Sequence, residues 1–244
     1  SVQPWFTTRR GLAAGIASAG VGAGTLIIPL LATSAIHWLQ WRDAMRAVAL
    51  GVLVIGLLSA GLLKRAPSAS GSGSTPPPGA SLREALRNRS FWWMYVAAVL
   101  AAPTMFIPFA HASAAARDLG IDDARAVGLV GLIGIGSLVG RFAIGTLADR
   151  IGRSLTLVLM QGSMGASLLL WNWADGYTAL ALFALWFGVS YGGIVSLMPT
   201  ICMDLFGGRA VSSIIGTLYT GAALGNLLGP VLAGAVFDRT GSYG

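Results

Sequence analysis

Charged residues are scarce in this sequence. Asp, Glu, Lys and Arg make up 10% of the 244 residues, whereas a soluble domain usually carries about 25%. Cysteine occurs once, as Cys202, which excludes a disulfide within these residues and a cysteine-cluster metal site. The sequence has no paired carboxylates, no His/Cys metal spacing and no nucleophile-base arrangement. We therefore expect no enzyme activity, no metal and no cofactor.

Hydrophobic residues are abundant instead, at 55% of the chain, and they come in long runs. A helix needs about 20 apolar residues to cross a bilayer. The runs predict an all-α membrane protein with seven transmembrane helices: 11–36, 44–63, 91–113, 126–148, 154–174, 177–200 and 211–236.

The net charge of +7 is distributed unevenly over the predicted loops. One side carries most basic residues: Arg9, Arg10, Lys64, Arg65, Arg83, Arg87, Arg89, Arg150, Arg153 and Arg209. The other side carries Arg42, Arg46, Arg117, Arg125 and Arg239. By the positive-inside rule we expect a multi-pass protein of the cell membrane, with its N-terminus and residues 66–90 cytoplasmic. The basic charge then reflects topology and contact with the anionic lipid bilayer, and not a nucleic-acid partner.

Residues 66–80 form a Pro/Gly/Ser-rich linker without apolar periodicity. The basic stretch after it, "SLREALRNRS", predicts a short amphipathic surface helix. The linker separates two predicted helices from five, which suggests two bundles.

A short pattern occurs at the ends of the fourth and seventh predicted helices. Both copies fit G-x-x-x-D-R-x-G: Gly145, Asp149, Arg150 and Gly152, then Gly234, Asp238, Arg239 and Gly241. Three helices separate the copies, so they run in opposite directions. Such inverted-topology repeats are common in secondary transporters.

Two segments resemble signatures of one family. The end of the fourth helix resembles the loop motif of the major facilitator superfamily, G-x-L-A-D-R-x-G-R-[KR], with Ser154 at the last position. The matching residues are Gly145, Leu147, Ala148, Asp149, Arg150, Gly152 and Arg153. The chain's start resembles the second signature of the monocarboxylate transporter branch, with Trp5 and Thr8 as departures. Its matching residues are Phe6, Arg9, Arg10, Leu12, Ala13, Gly15, Ala17, Ala19, Gly20 and Gly24.

The resemblance implies an incomplete major-facilitator fold that covers helices five to eleven of twelve. Residues 1–65 would be the last two helices of the N-terminal bundle, and 66–90 the cytoplasmic linker. Residues 91–244 would be the C-terminal bundle without its final helix. The implied function is secondary transport.

Arg141 lies inside the fourth apolar run, where a charged side chain costs roughly 2.5–3.5 kcal/mol near the bilayer centre. It could bind a substrate carboxylate, with Ser137 on the same helix face at i,i+4. It could instead extend to the cytoplasmic headgroups, or form an interhelical ion pair. Proton-coupled transporters of the branch have an Asp four residues before this Arg, where this chain has Ser137. The resemblance therefore implies anion binding and leaves the proton as one candidate coupling ion.

Gly145, Asp149, Arg150 and Arg153 are candidate gating residues. Gly145 would admit a neighbouring helix. Asp149 would cap the next helix or pair with an Arg, and Arg150 and Arg153 would hold the short loop. Such a cluster could latch one conformation of an alternating-access cycle, or it could be static loop chemistry.

Other candidate substrate-binding residues are polar groups within apolar helices. His111 could relay a proton or bind the carboxylate, or be an ordinary interface residue. Tyr191, Tyr219 and Asn226 could line a cavity or bond to a neighbouring helix backbone.

These observations favour secondary active transport of small organic anions, especially monocarboxylates. The alternative within the same class is an exporter of drugs or other metabolites, with a structural Arg141. A seven-helix receptor or retinal protein is a different class. The only lysine, Lys64, lies in a loop and cannot form a Schiff base within the bundle, and the inverted repeat has no role in a receptor.

Overall fold

The computed structural model describes residues 10–62 and 78–240. Within these ranges the chain forms eight α-helices: α1 Arg10–Trp38, α2 Trp41–Leu62, α3 Leu82–Arg87, α4 Arg89–Asp118, α5 Asp123–Ile151, α6 Arg153–Asn172, α7 Tyr177–Phe206 and α8 Val211–Thr240. The signature residues before Arg10, the linker up to residue 77 and Gly241 lie outside the described residues.

The predicted membrane spans are confirmed. Every helix except the short α3 is long and apolar enough to cross a membrane, which gives seven candidate spans. Most helices extend beyond the predicted apolar runs because polar residues continue the helix at both ends: α4, for example, begins at Arg89 and ends at Asp118. The observed fold is therefore all-α in the described residues, as the hydropathy predicts.

Glycines set the packing of α5 against α7, the most extensive helix pair. Gly136 and Gly140 on α5 face Gly188 and Gly192 on α7. The two glycines on each helix are about one turn apart. A Cβ atom on Gly140 would overlap the carbonyl oxygen of Val189, so only glycine allows this approach. The interpretation of the Gly134–Gly140 stretch as a small-residue helix contact is confirmed.

A second glycine stripe joins α8 to α4. Gly221, Gly225 and Gly229 follow one face of α8, and a Cβ atom on any of them would press on α4 near Val99 or Pro103. The helix α1 packs on α5 through Gly22 and Gly134, while α2 packs against α1 and exposes most of its apolar side chains. These contacts place α4 to α8 in one bundle, with α1 against its α5 side.

The short helix α3 lies at the end of the bundle where α4, α6 and α8 begin and α5 and α7 end; we call this the α3 end. Ser81 caps α3, and its backbone N–H donates to the Glu84 carboxylate at 2.7 Å. These bonds lower the pKa of Glu84. Ala85 is fully buried and packs in a cluster with Phe91, Phe206 and other apolar side chains. The predicted surface helix is thus confirmed and docks on the bundle.

The residues before α3 are attached to the connection between α7 and α8. Gly79 and Gly207 form an antiparallel bridge, in which Ala80 N–H donates to the Phe206 carbonyl at 2.7 Å. Gly207 has a φ of +71°, and a Cβ atom there would lie 2.6 Å from the Cα of Gly79. Both glycines are needed for this close approach.

Candidate functional site

Arg141 is buried in the interior of the bundle, with 1% of its surface exposed. Its Nε donates to Ser137 Oγ at 3.3 Å, across one turn of α5. Nη1 and Nη2 are buried and have no hydrogen-bond partner among the described residues. The side chain therefore neither extends to the headgroups nor forms an ion pair with a described residue.

Two tyrosines lie near this guanidinium. Tyr191 on α7 and Tyr219 on α8 both interact with Arg141 electrostatically. Tyr191 is 8% exposed, and its ring packs against Phe106, Phe109 and Phe187. The structure thus brings Arg141, Ser137, Tyr191 and Tyr219 together from three helices.

A cavity of about 100 Å³ lies between α4, α6, α7 and α8. Tyr219 forms part of its wall and is 43% exposed. Arg141 is not in the wall of this cavity. The wall also contains Gln161 of α6, whose buried Oε1 has no hydrogen-bond partner among the described residues.

His111 and Asn226 lie apart from this wall. His111 Nε2 is 3.3 Å from the carbonyl oxygen of Pro230. This contact joins α4 to α8, which fits the interface interpretation of His111. Asn226 has a buried Oδ1 that finds no partner in the described part of the chain.

The gating candidates form an ion-pair cluster at the α3 end. Arg153 Nη1 donates to both carboxylate oxygens of Asp204, each at 2.6 Å, and Nη2 is 3.4 Å from Asp149 Oδ1. The cluster joins the ends of α5 and α7 to the start of α6. Of the two alternatives for Asp149, the structure shows the pair with an Arg and not the cap of α6, since Gly152 occupies that N-cap without a side-chain bond.

Arg150 does not share in this cluster. It is exposed, and none of the ion pairs found among residues 10–62 and 78–240 includes it. Gly145 is half-buried on α5. The short loop is therefore held by Arg153 and not by Arg150.

Two functional candidates were not predicted from the sequence, Asp204 and Gln161. Asp204 is 51 residues from Arg153, and nothing in the spacing links them. Gln161 gave a signal of the same kind as Asn226, since it is an amide in the middle of an apolar helix. No group of three or more His, Cys, Asp or Glu side chains in the described ranges could hold a metal ion.

Comparison with known proteins identifies the family of this chain. The profile of the family described as "Major Facilitator Superfamily" matches residues 2–230. Monocarboxylate transporter 13 of Bos taurus is 31% identical over 241 residues, which cover 98% of this chain and 56% of that protein.

Two further relatives show how wide the similarity is. MFS-type transporter opdF of Penicillium oxalicum is 28% identical over 243 residues, with 98% of this chain and 56% of that protein covered. Monocarboxylate transporter 12 of Homo sapiens is 26% identical over 278 residues, with 99% and 54% covered. The chain thus spans about half the length of the curated relatives it matches. All three are named as transporters, which agrees with the expectation that the chain is not an enzyme.

Proposed function

Because the chain belongs to the major facilitator superfamily, we propose that the protein transports small organic anions, with monocarboxylates as the main class, across the cell membrane by alternating access. The observation that carries the proposal is the buried Arg141, whose two NH2 groups have no hydrogen-bond partner among the described residues. An unpaired guanidinium inside a membrane protein is costly to bury, and a carboxylate that accepts two parallel hydrogen bonds would offset that cost.

The neighbours of Arg141 suit an anion. The Ser137 hydroxyl already accepts from Nε and holds the guanidinium across the helix, which leaves the opposite edge of the fork free. The phenol groups of Tyr191 and Tyr219 can donate hydrogen bonds to the same carboxylate. The other candidate binding residues, His111 and Asn226, would then serve in other steps of transport or in the contacts between helices.

We propose that the inverted repeat and the Arg153 cluster supply the conformational cycle. The cluster lies at the ends of three helices, at the α3 end of the bundle. In this proposal α1 and α2 belong to the first bundle, so the contact of α1 with α5 joins the two bundles. Residues 66–90 and the N-terminus face the cytoplasm, as the basic residues suggest.

Ser137 bears on the coupling ion. It stands four residues before Arg141 on the same helix face, and a serine hydroxyl has no proton to exchange near neutral pH. A proton gradient would then have to act through another group, and anion exchange is the competing mechanism.

The test is uptake into proteoliposomes by the complete natural protein. Labelled lactate, pyruvate and oxalate are offered with and without a pH gradient. Uptake of a monocarboxylate that Arg141→Lys abolishes, at equal reconstitution, supports the proposal. Equal uptake by wild type and Arg141→Lys would make Arg141 structural and favour an exporter of drugs or other metabolites, which the mostly apolar cavity wall would also accommodate.

A further inference from the structure

Exposed arginines surround the short helix α3 where it docks on the end of the bundle: Arg83, Arg87, Arg89 and Arg209. None of the four forms an ion pair with a residue in 10–62 or 78–240. Glu84 is the only acidic residue in 78–93 and in 207–211, and its carboxylate already accepts from the Ser81 backbone N–H. Most of the positive charge around α3 is therefore not balanced by the side chains beside it.

Two of the arginines share the outer face of α3. Arg83 and Arg87 are about one turn apart, on the side of the helix opposite the fully buried Ala85. The helix is also fastened to the start of α4, because Trp92 Nε1 donates to the Leu86 carbonyl at 2.8 Å. Both arginines thus belong to an ordered surface of the bundle and not to a free loop.

Arg209 belongs to the connection between α7 and α8, which is bonded to the segment before α3. There the Gly208 N–H donates to the Pro78 carbonyl at 3.1 Å. The hydrogen bonds from Ser81 lower the pKa of Glu84, and the charge of Arg209 lowers it further. Arg209 therefore lies close enough to α3 to act together with the arginines of that helix.

The first turns of α4 place this surface at the boundary of the membrane. Trp92 and Trp93 are largely exposed, and such aromatic residues concentrate at the level of the lipid headgroups. The Arg89 guanidinium lies over the Trp93 ring, 5.6 Å from the ring centroid. Exposed Val96 and Leu100 continue the same face of α4 into the membrane. The order along this face, a cation and then apolar side chains, matches the phosphate and acyl chain of a phospholipid.

We propose that the α3 end carries a binding site for an anionic phospholipid, whose phosphate group lies among the four arginines while an acyl chain follows Trp93, Val96 and Leu100. Clusters of basic residues next to membrane helices bind anionic headgroups. A guanidinium suits this role because it donates two parallel hydrogen bonds to phosphate oxygens. This lipid site is separate from the Arg141 site and does not depend on which substrate is transported.

A localised site differs from the general attraction of basic residues to an anionic membrane. General attraction depends on the number of charges, whereas a site depends on where they lie. Arg150 makes the comparison possible. It is exposed at the same end of the bundle and has no ion pair among the described residues, but it belongs to α5 and not to the surface around α3.

The test counts bound lipids by native mass spectrometry on the complete natural protein in detergent. Didodecanoyl phosphatidylglycerol and didodecanoyl phosphatidylcholine are titrated separately, since they differ only in the headgroup. Each basic residue beside an anionic lipid contributes about fivefold in affinity. We expect phosphatidylglycerol to bind at least about tenfold more tightly than phosphatidylcholine. Equal affinities for the two lipids would overturn the site.

The variants compare arginines inside and outside the site. Arg83→Gln with Arg87→Gln should weaken phosphatidylglycerol binding by about tenfold or more and leave phosphatidylcholine binding unchanged. Arg209→Gln should weaken it by about fivefold, and Arg150→Gln by less than about twofold. Equal losses in Arg209→Gln and Arg150→Gln would show general attraction alone and would overturn the site.

Two further measurements identify the ligand and its place. Glycerol 3-phosphate has a phosphate without acyl chains, and at equal concentration it should not displace phosphatidylglycerol. Displacement would indicate a site for soluble phosphates and overturn the lipid assignment. Replacing phosphatidylcholine by phosphatidylglycerol in nanodiscs of the wild type should slow hydrogen exchange in residues 80–88. This second measurement is decisive even if the double variant fails to fold, because unchanged exchange there would overturn the proposal.

Discussion

Arg153 and Asp204 form a two-point ion pair that joins the start of α6 to the end of α7. One guanidinium nitrogen, Nη1, lies 2.6 Å from both Oδ1 and Oδ2 of Asp204. Asp149 makes a longer contact of 3.4 Å to Nη2 of the same guanidinium. Asp204 therefore holds Arg153 more firmly than Asp149, the residue that belongs to the sequence motif.

The difference between these two ion pairs predicts how much each one protects the α3 end from opening. Asp204→Asn should raise hydrogen exchange in residues 147–156 by about two- to fivefold, because a half-exposed ion pair contributes up to about 1 kcal/mol. Asp149→Asn should have a smaller effect. Asp175→Asn, at the opposite end of the bundle, serves as the control and should change nothing.

The double variant Arg153→Asp with Asp204→Arg exchanges the two charges and should restore much of the protection of residues 147–156 from hydrogen exchange. A larger effect of Asp149→Asn than of Asp204→Asn would contradict the geometry.

The contact of α5 with α7 depends on glycine. Gly140→Ala places a Cβ atom against the carbonyl of Val189, so we expect a loss of about 1–3 kcal/mol in the free energy of unfolding. Gly128→Ala on the same helix has open space around its Cβ and should be neutral or slightly stabilising, since alanine favours the helix. Thermal unfolding in detergent measures both. A Gly140→Ala protein as stable as Gly128→Ala would show that α5 and α7 do not approach so closely.

The buried guanidinium of Arg141 should lower stability in the absence of substrate. Its Nη1 and Nη2 groups are buried without partners among the described residues, and each unmet donor costs about 1–3 kcal/mol. Arg141→Met retains most of the length of the side chain and removes these donors. We expect a higher melting temperature together with the loss of transport. A lower melting temperature would mean that the guanidinium has partners that stabilise the fold.

Glu84 should titrate below the ordinary carboxyl range. Its carboxylate accepts from the Ser81 backbone N–H, which lowers its pKa, so the folded pKa is below the unfolded one. The capping contribution is then complete above the unfolded value of about 4.3 and is lost as the pH falls through the lowered pKa.

Comparison with the variant Glu84→Gln identifies the signal of this carboxyl group. In protein labelled with ¹³C-glutamate, the resonance absent from Glu84→Gln reports the Glu84 carboxyl. A midpoint at or above the ordinary value would contradict the capping box. Ser81→Ala should move the midpoint only part of the way back, since the backbone bond remains.

The hydropathy of the sequence predicts most of the helices of the fold. Long apolar runs in a bilayer form helices, so the seven spans could be predicted. The surface helix α3 could be predicted from the basic stretch after the linker. The contacts between helices were harder to predict. The bridge of Gly79 with Gly207 joins residues far apart in sequence, and no local pattern indicates it.

The candidate site was predictable in part for the same reason. A cation in an apolar run is conspicuous, so Arg141 and its neighbour Ser137 could be identified from local spacing. Asp204 sits at a helix end where acidic residues are common, and only its position opposite Arg153 distinguishes it. Gln161 differs from Asn226 only in facing the cavity, which requires the packing of four helices.

Equilibrium binding tests the role of Arg141 most directly. Labelled lactate is titrated into the purified complete protein, wild type and Arg141→Gln, with melting temperatures recorded to verify folding. Removing one partner of a buried charged pair costs about 2–5 kcal/mol, so Arg141→Gln should weaken binding by at least about 30-fold. Affinities that agree within about twofold in two folded proteins would contradict the account, because the anion would then bind without the guanidinium.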